Sequence, residues 1–140
     1  GRIRTAIDER GLVVRLLTDE VLFDTGKAVV KRRSFPLLAH IARLLVSRRI
    51  ENPVRVEGNT DNVPISTPEF PSNWELSAAR ATAVLAKLLA HGVPPFRLSV
   101  AGYADQRPVA SNATAAGRHL NRRVELVVLR RSLARSEARP

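Results

Sequence analysis

Short, apolar, β-branched runs alternate with two longer amphipathic stretches, and that alternation restricts the possible folds more than any other feature of the chain. "GLVVRLL" (Gly11–Leu17), "PVRVEG" (residues 53–58), "RLSVAGY" (97–103) and "RRVELVVLR" (122–130) read as strands. In the second run Val54 and Val56 share one face while Arg55 and Glu57 share the other; in the last, Val124, Leu126 and Val128 point inward. Between the first two runs, Ser34 is a candidate N-cap for a helix carrying Leu37, Leu38, Ile41, Leu44 and Leu45 on one stripe, ending near Arg48 and Arg49. Between the next two, Ser72 or Asn73 can cap a helix whose buried face is Ala81, Val84, Leu85 and Leu88. Gly92 and Pro94 stop that helix. "NATAAGRHLN" (112–121) reads as a turn or short helix, and Asp24, Thr25 and Gly26 as a turn.

The order is β-α-β-α-β-β. It predicts an α/β (α+β) two-layer sandwich, with a mixed four-stranded sheet carrying its helices on one face. Residues 11–130 form the domain, residues 1–10 are expected to be a lead-in helix or arm, and 131–140 a frayed basic tail. The abrupt, helix-like start suggests a piece of a longer protein. No stretch approaches the roughly 20 apolar residues that cross a bilayer.

The formal charge of +10 raises the question of an anionic partner. Of 23 basic residues only Lys27, Lys31 and Lys87 are lysines; the arginines are spread along the chain with no aromatic platform between them. A basic nucleic-acid-binding module is therefore the weaker reading. It predicts steeply salt-dependent DNA binding that Asp61→Ala would not reduce. With no cysteine, thiolate chemistry and disulfides are excluded. His40, His91 and His119 lack metal-type spacing, Asp19 and Glu20 read as a turn, and neither a nucleophile elbow nor a phosphate loop is present. The chain is expected to be no enzyme and to use no cofactor or metal.

What remains is Asp61, directly after a strand end, and Arg80, seven residues and about two helical turns beyond Asn73. Two readings fit this spacing equally. Asp61 and Arg80 could pair with each other, or Asp61 could merely cap its turn. Alternatively, both could line a pocket for a zwitterion, with Arg80 gripping a carboxylate and Asp61 accepting from an ammonium.

At these residues the sequence resembles the OmpA-like peptidoglycan-binding family. The motifs are Gly58-Asn59-Thr60-Asp61, Asn73-x-x-Leu76-Ser77-x-x-Arg80-Ala81, Gly102-Tyr103, Pro108, Asn112-x-Thr114-x-x-Gly117-Arg118 and Asn121-Arg122-Arg123-Val124-Glu125, in the family's order over roughly residues 50–130. "LLTDEVLFDTGKA" is similar to the family's first strand and turn, and the proline-spaced loop "DNVPISTPEFPSNWELSAARA" resembles the MotB-type stator branch of flagellar motors. The resemblance implies non-catalytic binding of meso-diaminopimelate in peptidoglycan stem peptides. Asp61 would meet the ammonium and Arg80 the carboxylate, with Thr60, Asn59, Asn73, Leu76, Ser77, Arg122 and Arg123 at matching positions. It also implies an extracytoplasmic (periplasmic) domain of a single-pass cytoplasmic-membrane protein, a homodimer, and a MotA-like channel subunit as partner. A general OmpA-like or lipoprotein cell-wall anchor without a motor role is the alternative. Asn59 stands where the family usually has His, and Ala104 where Gly is common; a positive φ there would strain an alanine.

Overall fold

The structure, a computed structural model, describes residues 3–47 and 51–130. The expected helix end at Arg48 and Arg49 and the basic tail at 131–140 lie outside the described residues. Eight main elements follow one another: β1 (Ile3–Asp8), β2 (Gly11–Leu17), α1 (Phe35–Leu45), β3 (Val54–Asn59), α2 (Asn73–Ala90), β4 (Leu98–Gly102), α3 (Ala115–Asn121) and β5 (Arg123–Leu129). They build one mixed sheet in the order β1-β2-β5-β3-β4. The α2 crossover joins β3 to its parallel neighbour β4, whereas β5 slots antiparallel between β2 and β3.

The sandwich and its one helical face agree with the sequence reading, but the sheet has five strands where four were expected. Residues 3–8 form a strand and not a lead-in helix. Ile3, Thr5 and Ile7 place β-branched side chains at alternate positions, and a turn at Glu9 and Arg10 folds the segment back along β2 from Asp8↔Gly11 to Ile3↔Leu16. Every residue of β1 is exposed, so its pairing rests on backbone hydrogen bonds and not on a buried face.

The core is aliphatic. Leu16, Val54, Val56, Val124 and Leu126 from the sheet meet Leu38, Ile41, Ala42 and Leu45 of α1 and Ala81, Val84 and Leu88 of α2, with Phe23 as the fully buried aromatic. Leu44 of the expected stripe faces solvent, and Ala42 takes its place inside. Ser34 does not cap α1: a 3-10 turn (Arg32–Ser34) precedes the helix, Ser34 already has helical dihedrals, and its hydroxyl donates to the Val21 carbonyl. Ser72 does cap α2, accepting from the Trp74 amide at 3.2 Å, and Gly92 takes the positive φ that ends it.

The opposite sheet face carries a buried ionic cluster. Glu57 and Glu125 face each other across β3 and β5, both almost fully buried. Like charges so placed repel, and four guanidinium groups offset this. Arg10 bridges both carboxylates, Arg15 Nε donates to Glu125 at 2.7 Å, Arg55 Nε donates to Glu57 at 2.7 Å, and Arg123 Nε lies 3.4 Å from Glu125. Burial tends to raise the pKa of Glu125, but Arg123, Arg15 and Arg10 outweigh it and hold the carboxyl below its ordinary value of 4.5. The stability that Glu125 contributes is therefore complete above that value and lost as pH falls through the lower folded one. Arg10→Ala is expected to cost about 2 kcal/mol at pH 7, since it leaves two buried carboxylates short of a counter-charge. Urea titrations of variant and wild type should converge on acidification.

Candidate functional site

A pocket of about 400 Å³ opens on the helical side of the sheet, beyond the end of β3. Its charged lining is Asp19, Asp61, Arg80, Arg118 and Arg122; Thr25, Gly26, Thr60, Asn73 and Leu76 complete the wall, and Val63, Pro64 and Ile65 of the proline-spaced loop form its rim. Each comes from a different local device. Thr60 is tied to the Ala104 carbonyl through its amide at 2.8 Å, which fixes the chain leaving β3. Asp61 Oδ1 then accepts from the Val63 amide at 2.9 Å and turns the loop. Asn73 Nδ2 donates to the Val63 carbonyl at 3.0 Å, pinning the same loop to the first turn of α2.

Arg80 lies deep on α2, 4% exposed. Its Nε donates to the Lys27 carbonyl at 2.8 Å and its NH2 to the Asp24 carbonyl at 3.2 Å, with the Phe23 ring centroid 5.2 Å from the guanidinium. The Asp24-Thr25-Gly26 turn read from sequence thus serves as a carbonyl cradle. Burial pushes the Arg80 pKa down to about 10, partly countered by Asp19 and Asp61. No hydrogen bond or ion pair joins Asp61 to Arg80 among the described residues.

Asp61 instead pairs with Arg122, whose NH1 donates to Oδ2 at 2.6 Å. Arg122 is shared: its Nε and NH2 reach Asp19 Oδ2 at 2.8 and 2.6 Å. Burial works against the Arg122 charge, yet its hydrogen bonds to the Asp19 and Asp61 carboxylates outweigh it and raise its pKa. Asp19 is likewise penalised by burial but held below its ordinary value by Arg122 and His119. Of the two sequence readings, the private Asp61–Arg80 pair is not formed, Asp61 does cap its turn, and both side chains line one cavity.

The site residues named from sequence therefore divide. Thr60, Asp61, Asn73, Leu76, Arg80 and Arg122 line the pocket; Asn59, Ser77 and Arg123 do not. Asn59 and Arg123 are register partners on the sheet face opposite the helices, because Gly58 and Val124 take the inward alternation. The Asn59 side-chain amide is buried with no hydrogen-bond partner on either atom among the described residues, and Arg123 donates to the carbonyls of Asn121 and Arg107. Ser77 is a buried clamp: its hydroxyl donates to the Trp74 carbonyl and accepts from the Ala104 amide, both at 3.1 Å. Ala104 has φ +53°, the strained conformation foreseen for an alanine at that position. Seven lining residues were not among those named from sequence, and two of them, Asp19 and Arg118, are charged. Asp19 is delivered by a single π-helical turn (Thr18–Leu22) after β2, and Arg118 by α3. Both sat inside quoted motifs, and that was their one available signal.

Residues 22–122 match the OmpA family. The chain belongs to the OmpA family. Motility protein B of Bacillus subtilis is 39% identical over 134 residues, which span 95% of this chain and 51% of that protein. A MotB-like protein from Desulfovibrio vulgaris superposes with a TM-score of 0.84 at 35% identity, covering 92% of this chain and 82% of that one. The cell wall anchor of the T6SS from Pseudomonas aeruginosa superposes with a TM-score of 0.81 at 41% identity, covering 91% and 87%. The chain spans about half the length of the Bacillus subtilis relatives it matches, 49% and 51%. It is an OmpA-like peptidoglycan-binding domain of the MotB-related type, a structural module and not an enzyme. No helix among the described residues is long and apolar enough to cross a membrane.

Proposed function

We propose that this OmpA-like domain anchors a MotB-type flagellar stator to the cell wall by binding the zwitterionic end of meso-diaminopimelate in peptidoglycan stem peptides. Arg80 carries the reading. It is a buried guanidinium held by two backbone carbonyls and an aromatic face, with no carboxylate hydrogen-bonded to it among the described residues, at the wall of an open cavity. A ligand carboxylate arriving there relieves the cost of burying that charge. Asp61, on the same wall, accepts from the ligand ammonium, while Arg122 and Asp19 keep its carboxylate aimed at the cavity. In this reading the domain lies outside the cytoplasmic membrane on a single-pass protein, works as a homodimer, and holds still a MotA-like channel subunit. The 41% identity to a T6SS cell wall anchor favours a second reading, wall attachment without a motor role. Swimming of cells whose stator carries this domain separates the two.

Co-sedimentation with purified diaminopimelate-type peptidoglycan tests the pocket. Wild type should pellet, and Asp61→Ala and Arg80→Ala should stay in solution. Folded variants that pellet like wild type would end the assignment. Asp19→Asn, which loosens Arg122 without touching Asp61, is expected to weaken binding about fivefold, roughly 1 kcal/mol.

A further inference from the structure

The charges of the pocket do not balance a simple zwitterion. Arg80, Arg118 and Arg122 face Asp19 and Asp61, so the lining carries one positive charge more than negative. Arg122 is consumed between the two aspartates. Arg80 and one aspartate charge then match the carboxylate and ammonium of the ligand reading given above, on which this inference rests. Arg118 is left over.

Arg118 is also built to be left over. Among the described residues its hydrogen bond is a single donation from NH1 to the Asn112 carbonyl at 2.9 Å, and it has no carboxylate partner. The loop supplying that carbonyl is locked. Buried Asn121 accepts from the Val109 and Ala110 amides and donates to the Ala110 carbonyl and to Asn112 Oδ1. Thr114 caps α3 by accepting from the Gly117 amide at 3.0 Å. Arg118 is therefore a half-buried guanidinium with its base fixed and much of its donor fork unused. It stands on a different element from Arg80 but on the same cavity.

We propose that Arg118 is a second carboxylate contact that sets specificity. The pocket takes a peptide bearing a free carboxylate on the residue preceding the zwitterionic one, and discriminates against the same peptide amidated there. In a stem peptide that group is the α-carboxyl of the γ-linked D-glutamate. A neutral amide offers Arg118 no charge and replaces one of the two acceptor oxygens with an NH2 donor, so the bidentate charged contact is lost and the preference comes from one unmatched guanidinium.

The test is calorimetric titration of the tripeptide L-Ala-γ-D-Glu-meso-diaminopimelate and of its D-glutamate amide. Wild type is expected to favour the free acid about tenfold, in line with one charged hydrogen-bonded contact. Arg118→Gln should bind the free acid about tenfold more weakly and the amide within about twofold of wild type, and Arg118→Lys should restore part of the preference. Equal weakening toward both peptides, or an unchanged preference in Arg118→Gln, overturns the assignment. Wild type that binds neither peptide overturns the diaminopimelate reading beneath it, whereas wild type that binds both equally overturns the role of Arg118 alone.

Discussion

Gly58→Ala is expected to destabilise the domain by about 4 kcal/mol or more, at the far end of what single substitutions do. A Cβ at Gly58 would lie 2.0 Å from the Ser77 carbonyl oxygen and 2.9 Å from its carbon, both backbone atoms of α2. Gly102, its register partner on β4, has the matching contact: a Cβ there would be 2.7 Å from the Ala78 amide nitrogen. The two glycines form a seat that lets α2 lie directly on the sheet. Side-chain repacking cannot relieve a clash with helical backbone, so the helix must lift. Lifting it breaks the Ser77 clamp on Ala104 and withdraws Arg80 from its carbonyl cradle. Domains of this size are stable by only about 5–15 kcal/mol, so urea denaturation should show the loss plainly. A wild-type midpoint for Gly58→Ala would contradict the seat.

Arg80→Met is expected to weaken peptidoglycan-fragment binding about a hundredfold, roughly 3 kcal/mol, while folding stability changes by only about 1 kcal/mol. The two effects separate because Arg80 is a poor stabiliser where it stands. Its charge is buried with no carboxylate hydrogen-bonded to it among the described residues, and that burial pushes its pKa down to about 10. Methionine fills similar volume and keeps contact with Phe23, at the cost of the Arg80 donations to the Lys27 and Asp24 carbonyls, of which the Asp24 carbonyl still accepts from the Lys27 amide at 3.0 Å. The ligand carboxylate, by contrast, loses a paired, desolvated fork that nothing else on α2 replaces. Comparing thermal unfolding with titration of the same variant checks both halves.

The backbone of this architecture was legible wherever local signals agreed. The Ser72 cap, the Ala81, Val84 and Leu88 stripe and the Gly92 stop bound α2 correctly, and the Val124 and Leu126 alternation oriented β5. β1 was hidden because it buries nothing: its pairing with β2 is all it has, and mixed charge disguised the β-branched alternation. The pocket was partly legible. Asp61 and Arg80 stood out by their isolation, yet the partner of Asp61 came from Arg122, near the far end of the chain, and Asp19 arrived through a π-helical turn with no sequence period of its own. Asn59 and Arg123 carry a different lesson. The inward direction of Val54, Val56 and Val124 already implied that both point away from the helices, and strand alternation outranks motif membership in deciding which side chains can reach a cavity.

The central claim is that Asp61 and Arg80 together read a zwitterion. It is tested most directly by titrating wild type and Arg80→Met with two stem tripeptides, one ending in meso-diaminopimelate and the other in L-lysine, which keeps the side-chain ammonium but lacks the adjoining carboxylate. Wild type should bind the diaminopimelate peptide about a hundredfold more tightly, the worth of roughly 3 kcal/mol, and Arg80→Met should bind both weakly and alike. Equal affinities for the two peptides in wild type, or a preference that survives Arg80→Met, would contradict the account.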